Sequence, residues 1–301
     1  MNLQQHQRFL WGLCYRMTGC AADADDLVQE TFKRALEKPP PDVERTLKPW
    51  LTKVAVNLSR DALRRRVRGG YEGPWLPSPL ETPDEPVAVE PRSTEGRYEL
   101  LESVSFAFLL ALEALSPKQR AVLLLRDVFD YPVREVADAL AVSEDNVKTI
   151  HLRARKAMAE YDAARSLPTR EAQEKNRAAL SMLLGALLSN DVEQVEALLA
   201  QDALGLSDGG GQYHAATVPI FGAIKVAKFL LGVTKKRGPP EDVQVRLLNG
   251  FPALVAYYPA SKDPRLAPVT VVRVDLGADG RISAVHSVQA DRKLTALVRT
   301  G

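Results

Sequence analysis

The segment Pro132 to Lys156, PVREVADALAVSEDNVKTIHLRARK, constrains this chain more than any other stretch. Val133, Val136, Ala137 and Leu140 recur at helical spacing, so its first half is a short helix with one apolar face. Ala141 and Val142 interrupt the pattern and make a turn. Ser143 stands where an N-cap belongs, with Glu144 and Asp145 in a first turn whose dipole favours negative charge. In the helix that follows, Val147, Ile150, Ala154 and Met158 fall on one side. Lys148, Thr149, Leu152, Arg155 and Lys156 fall on the other, with His151 at the border. No acidic residue occurs between Asn146 and Ala159. A brace helix, a tight turn and a compact positive face form a helix-turn-helix pattern, which lays one helix in a major groove and its cations against phosphates. A solvated basic helix in a bundle is the plainer alternative.

A length of 301 residues allows two or three domains. The net charge of +2 hides an uneven distribution: residues 1–70 hold 13 Lys/Arg against 8 Asp/Glu, whereas residues 71–100 hold 2 against 7. Residues 101–175, with 11 basic and 12 acidic, are near balance, so the positive helix is a local feature. Cys14 and Cys20, with His6 as the nearest further donor, do not complete a zinc site and read as small buried groups. No cofactor or metal is expected. The N-terminal text MNLQQHQRFLWGLCYRM has neither a charged leader nor a cleavage site, and no apolar run reaches a membrane span, so a cytoplasmic protein is expected.

Residues 3–68 read as helices, broken at Thr18 to Ala21 and at Pro39-Pro40-Pro41. The first helix carries Phe9, Leu10, Leu13 and Met17 on its apolar face. The second opens on Asp23, Asp25 and Asp26, followed by Gln29 and Glu30, and is expected to bury Leu27, Val28, Phe32 and Leu36. The acids suit a helix dipole or a solvated interface better than catalysis. In the third helix Trp50, Leu51, Val54, Ala55, Leu58 and Ala62 mark a packed face. Lys53, Asn57, Arg60 and Arg64 cluster on another, where Asn57 can pair with a base edge. Residues 71–99 are an acidic, proline-rich linker, in which Trp75-Leu76-Pro77 is an apolar island suited to docking on a neighbouring domain. Helical pattern resumes at Leu100, and Ser116-Pro117 caps the helix that braces the helix-turn-helix.

Three runs in order, DADDLVQETF (23–32), WLTKVAVNLSRDALRRR (50–66) and LSPKQRAVLLLRDVFDYPVREVADALAVSEDNVKTIHLRARKAM (115–158), closely resemble conserved regions 2 and 4 of bacterial sigma factors of the extracytoplasmic-function group. The resemblance implies an RNA polymerase sigma factor with partners in core RNA polymerase and promoter DNA. Residues 1–70 would be region 2 and residues 100–165 region 4, both all-α. The resemblance implies that Asp25, Asp26, Leu27, Gln29 and Glu30 face core polymerase. Lys53, Asn57, Arg60, Asp61, Arg64 and Arg65 would engage the minus-10 strand. Ser143, Asn146, Lys148, Thr149, His151, Leu152, Arg155 and Lys156 would read the minus-35 element. A DNA-binding regulator that never joins polymerase is the alternative from the residues alone.

Residues 176–301 read as an α+β domain. Helical patterns at Ala178 to Leu188, Val192 to Leu199 and Ala223 to Leu231 precede four strand-like runs, VQVRLLN, ALVAYY, PVTVVRVDL and ISAVHSV, which imply a curved antiparallel sheet. The text SDGGGQYHAATVPIFGAIKVAKFLL (207–231) resembles the SnoaL-like cone fused to certain sigma factors of this group, and WLPSPL (75–80) resembles their linker motif. Relatives of that type carry Asn-Pro-Asp-Lys-Leu near the C-terminus; here Gln289-Ala290-Asp291-Arg292-Lys293-Leu294 stands in its place. A phosphate cradle is disfavoured at Asp208-Gly209-Gly210-Gly211 because the Lys and Ser/Thr of a P-loop are missing. An enzyme-like cone, with Asp208, His214 and His286 in a pocket, is one reading. The favoured one is a non-catalytic regulatory domain whose Asp208 turn, with Gly209, Gly210 and Gly211, meets Trp75, Leu76 and Pro77. It implies control within the chain and no separate anti-sigma factor.

Overall fold

The computed structural model describes residues 2–82, 98, 100, 102–165 and 167–297. It divides into two compact units, Met1–Gly70 with Glu85–Ser166, and Tyr71–Asp84 with Leu167–Gly301. The linker prolines Pro83, Pro86 and Pro91 lie outside the described residues.

In the first unit α1 (Gln4–Thr18) ends on Gly19, which takes the left-handed conformation (φ 67°) that a Cβ disfavours. Helices α2 (Ala21–Glu37) and α3 (Val43–Arg68) complete an antiparallel trio. Leu10, Leu13, Met17, Leu51 and Ala55 are fully buried within it, and so is Cys14, a free thiol whose pKa burial pushes up to about 12. The stripe of α2 differs from the expectation at one position. Leu36 is 68% exposed, and Ala35 takes the buried place. From Val28, an advance of seven residues returns to the same helical face, whereas eight rotate away from it.

The second half of this unit holds α4 (Phe106–Ala111), α5 (Pro117–Leu123), α6 (Val133–Leu140), α7 (Glu144–Ala157) and α8 (Ala159–Ala163). Ser116 and Gln119 form a reciprocal capping box at the start of α5. The chain leaves α5 through a wide π turn, Leu124–Val128. Two buried arginines join the halves of the unit. Arg16 Nε donates to Ser103 Oγ at 2.7 Å and its Nη2 to the Leu100 carbonyl at 2.9 Å. Arg120 donates to the Met17 and Leu112 carbonyls at 2.9 and 2.6 Å and to Glu113 at 2.8 Å. Burial lowers the pKa of Arg16 to about 10.

The second unit places α9 (Arg170–Leu188), α10 (Val192–Leu198) and α11 (Ala223–Arg237) against a six-stranded sheet. Its strands are β1 (Leu199–Asp208), β2 (Ile220–Phe221), β3 (Asp242–Leu248), β4 (Phe251–Tyr257), β5 (Val269–Leu276) and β6 (Ile282–Val288), in the order β2-β1-β6-β5-β4-β3. The expected antiparallel run is present from β3 to β6, but β1 adds to β6 in parallel, so the sheet is mixed and open. Strand β1 escapes periodicity because Gln201, Asp202 and Gly205 interrupt its apolar text. Asn249 and Gly250, at φ 53° and 84°, make the two-residue turn between β3 and β4. Leu180, Leu183, Val195, Ala203, Val226, Ala227 and Val274 centre the core.

Candidate nucleic-acid interface and linker clasp

The outer face of α7 is built by its cap and its buried stripe. Ser143 Oγ accepts from the Asn146 N–H at 3.3 Å, while Val147, Ile150 and Ala154 pack inward. That leaves Lys148, Thr149, Leu152 and Lys156 exposed, Leu152 at 72%. Lys148 lies 3.0 Å from Asp145 on the surface, and the Thr149 hydroxyl donates to the Asp145 carbonyl. Arg153 is exposed as well. It was legible in the sequence, since it follows Thr149 by one helical turn.

Arg155 and His151 do not stand on this outer face. Arg155 Nε and Nη2 grip Asp127 at 3.1 and 2.6 Å, and His151 Nε2 lies 2.9 Å from the same carboxylate. Asp127 sits in the π turn with 1% of its side chain exposed. Burial acts to raise its pKa, but the hydrogen bonds from His151 and Arg155 outweigh it and hold the carboxyl below the usual carboxylate range. Sequence periodicity grouped Arg155 with the outer cations because helical angle alone does not reveal an acid 28 residues upstream that the wide turn aims at α7. Arg155 therefore ties α7 to the π turn.

On α3, Lys53, Asp61, Arg64 and Arg65 are exposed, and Asn57 and Arg60 are half-buried. Arg60 donates to Asn57 Oδ1 at 3.1 Å, and Arg64 pairs with Asp61 at 3.0 Å. Desolvation, reinforced by neighbouring Arg64, lowers the pKa of Arg60. Trp50 is half-buried and lines a cavity of about 170 Å³ with Thr52, Lys53, Tyr131 and Glu135. On α2, Asp25, Asp26 and Gln29 are exposed; Asp25 accepts from the Trp11 indole at 2.7 Å and Glu30 pairs with Arg34 at 2.8 Å. Leu27, expected among the contact residues, is 6% exposed and packs into the trio. Leu36 takes the apolar place on the outer face instead, since it follows Gln29 by seven residues.

Within the second unit, Asp208 closes β1 with no exposed surface. Its Oδ1 accepts from the Tyr71 hydroxyl at 2.5 Å and from the Gly210 N–H at 3.1 Å. Its Oδ2 accepts from the Leu76 N–H at 2.7 Å and from Lys293 Nζ at 2.6 Å. Lys293 also donates to the Leu76 carbonyl and lies 4.0 Å from the centroid of the Trp75 ring. Leu76 is fully buried, and Pro77 is buried beside it. Full burial of a leucine side chain contributes about 1.5–3 kcal/mol. The turn needs its glycines: a Cβ on Gly209 would lie 2.5 Å from the Tyr213 carbonyl oxygen, and Gly210 and Gly211 have φ 60° and 72°. Past the clasp, Leu80 and Asn249 exchange hydrogen bonds and Thr82 bonds to Leu247, so this segment covers the edge strand β3. Tyr71 and Lys293 were not singled out in the sequence; the Lys of the replaced Asn-Pro-Asp-Lys-Leu motif was the available signal for the second.

Asp208, His214 and His286 do not converge. A cavity of about 260 Å³ between the sheet, α9 and α11 is lined by His214 but by neither of the others. His286 is buried among Arg273 and Asp275, its Nδ1 3.6 Å from Asp275 Oδ2, and desolvation lowers its pKa to about 4. Among the described residues no cluster of three His, Cys, Asp or Glu could hold a metal, and no helix is long and apolar enough to cross a membrane.

A helix-turn-helix with a basic outer face, preceded by a helical trio carrying an arginine-rich helix, gives the first unit two cation-bearing helical segments. Residues 3–69 match the family model Sigma-70 region 2, and residues 105–158 match Sigma-70, region 4. The ECF RNA polymerase sigma factor SigJ of Mycobacterium tuberculosis is 31% identical over 306 residues, spanning 97% of this chain and 91% of that protein. SigG of the same species is 31% identical over 311 residues, spanning 94% and 79%. The crystal structure of SigJ superposes with a TM-score of 0.69 at 29% identity, covering 98% of this chain and 96% of that one. The chain belongs to the extracytoplasmic-function group of sigma-70 RNA polymerase sigma factors, which act in transcription initiation.

Proposed function

We propose that this sigma factor uses α7 to read the upstream promoter element and α3 to hold the opened downstream strand, while the outer face of α2 meets core polymerase. On α7 the reading residues are Lys148, Thr149, Leu152, Arg153 and Lys156, with Asn146 and Ser143 at its start. On α3 they are Lys53, Asn57, Arg60, Asp61, Arg64 and Arg65. On α2 they are Asp25, Asp26, Gln29 and Glu30, joined by the exposed Leu36. Arg155 and His151 act through Asp127, by fixing the angle at which α7 is presented.

The C-terminal domain controls the factor in cis by holding or releasing the linker. The observation that supports this is the Asp208 clasp, which takes up both carboxylate oxygens with linker and C-terminal donors. An acid so engaged is not available as a catalytic group, so the cone is read as non-catalytic. Control within the chain removes the need for a separate anti-sigma factor, and the site of action is the cytoplasm, where polymerase and promoter are found.

Run-off transcription with core polymerase tests the proposal, comparing the full chain, Asp208→Ala and a truncation ending near Ser166. Promoter-specific transcripts are expected from the full chain, with an altered yield in both variants. Equal yields from all three would refute control in cis, and absence of specific transcripts from the full chain and the truncation alike would refute the assignment of the reading helices.

A further inference from the structure

The cavity of about 260 Å³ in the second unit is an incompletely neutralised site. Its walls are mostly apolar: Leu183, Leu187, Phe229, Leu230, Leu254 and Val272. Its polar groups lie on and beside the sheet, at the end of α11 and at His214, which pairs with Asp263 at 3.3 Å. Ser207 and Ser287 face each other across the parallel β1–β6 pair. The β5–β6 register pairs Val271 with Val288, so the next position sets Gln289 beside Thr270. Ser207, Ser287 and Gln289 are 3%, 8% and 6% exposed as residues, and they line the cavity, with none of their polar atoms among the fully buried unpartnered ones. A few polar side chains set in a mostly apolar cavity can fix the orientation of what binds there.

Arg237 adds a charge. Its guanidinium donates to the Thr270 hydroxyl at 2.6 Å and to the Ala267 carbonyl, and it stacks 3.7 Å from the centroid of Tyr258. All three partners are neutral, and no ion pair engages Arg237 among the described residues. Burial accordingly lowers its pKa. A half-buried cation without a counter-ion, at the end of an apolar cavity and beside hydroxyl and amide donors, is complementary to a planar, two-oxygen anion.

We propose that the C-terminal domain binds a small carboxylic acid with an apolar body, the carboxylate on Arg237 with Gln289 and the serines, the body against Leu183, Leu187 and Phe229. Allowing for packing, the volume suits about ten to fourteen non-hydrogen atoms. A phosphate dianion is less well matched, because one arginine leaves half its charge unpaired. Ser207 precedes Asp208, and the Gln289 N–H donates to the Asp208 carbonyl at 2.8 Å, so the cavity adjoins the linker clasp. Binding itself does not depend on the control role proposed above.

Calorimetric titration of the full chain with 2-naphthoate and with the neutral 2-naphthylmethanol tests the site. One naphthoate per chain is expected, bound about tenfold more tightly than the alcohol. Arg237→Gln is expected to abolish that preference, and Leu187→Trp, which fills the cavity, to abolish binding of both. No saturable binding by the unaltered chain, equal binding of acid and alcohol, or unchanged binding in Leu187→Trp would each overturn the proposal. If Arg237→Gln does not fold, the acid-to-alcohol ratio in the unaltered chain and the Leu187→Trp titration decide.

Discussion

Two buried aspartates organise the two units, and they differ in what surrounds their cations. Asp127 is gripped by Arg155, whose side chain is 37% exposed, and by His151 at 16%. Asp208 is gripped by Lys293, 4% exposed, with the Tyr71 hydroxyl and a linker N–H completing its shell. At the Asp127 node the guanidinium half can pass to water, because Arg155 is partly exposed even though Asp127 is not. A sealed lysine has no such recourse. The first node is suited to setting the angle of a helix that stays in place, and the second to holding a segment that is either engaged or absent.

The largest effect is therefore expected at Asp208. Asp208→Ala leaves Lys293 buried without its counter-ion, a loss of about 3–5 kcal/mol. Calorimetry should show a lower melting temperature for the second unit, and limited proteolysis should cut between Tyr71 and Thr82. Asp208→Ala combined with Lys293→Met should recover part of the loss. If the single variant melts like the unaltered chain, the clasp is not the stabilising feature described here.

A pH titration separates the units next. His286 is depressed to about 4 against a usual value near 6.5, so in between the unfolded chain binds a proton that the folded chain refuses. Stability from this group is complete above about pH 6.5 and is lost as pH falls toward 4, by up to roughly 3 kcal/mol. The Asp127 carboxyl is depressed too, so its contribution is present above the ordinary carboxylate range and lost only below it. Chemical denaturation monitored separately for each unit should find the second losing stability first as pH falls. Replacement of His286 by Gln should flatten its profile between pH 6.5 and 4.

Helix α7 gives the third test, with a smaller effect on stability. Asp127→Asn weakens the hold on Arg155, and about 1–2 kcal/mol is expected because Arg155 remains hydrated. Arg155→Leu should reduce binding to all promoter sequences together, since it changes presentation. Lys156→Ala and Arg153→Ala should instead lower the slope of log affinity against log salt by about 1 each if they meet phosphates. A change in sequence preference at one base upon Arg155→Lys would return Arg155 to the reading surface.

Features set by a local rule are legible in the sequence, and chemistry that depends on distant chain is not. Helix-turn-helix, caps and the buried faces of α1, α6 and α7 follow from 3.6-residue periodicity and from Ser116 and Ser143. Strands β3 to β6 follow from β-branched runs. The apolar Trp75-Leu76-Pro77 island and the Asp208 turn were both visible, but Tyr71 and Lys293 carry no local mark of sharing one carboxylate with them. Arg155 was assigned outward because periodicity sees one helix at a time. Leu27 is buried as the stripe predicts, and Leu36 lies off it because Ala35, seven residues after Val28, continues the buried face.

The two nodes also differ in their adjacent turns, which gives the smallest test. Gly210, two residues after Asp208, holds φ 60°, whereas Ala141, ahead of α7, holds φ 53° with a Cβ. The left-handed conformation costs an alanine roughly 1–2 kcal/mol, offset in part by the greater chain entropy a glycine loses on folding. Ala141→Gly is therefore expected to stabilise the first unit by under about 1 kcal/mol. Gly210→Ala adds the same strain and brings its Cβ within 2.8 Å of the Ala290 Cβ, so it should cost more than Ala141→Gly returns. Paired melting curves decide it. If Gly210→Ala is neutral while Ala141→Gly stabilises, the turn beside the clasp is looser than the turn that presents the recognition helix, and the contrast between a sealed and a solvated node fails at its backbone.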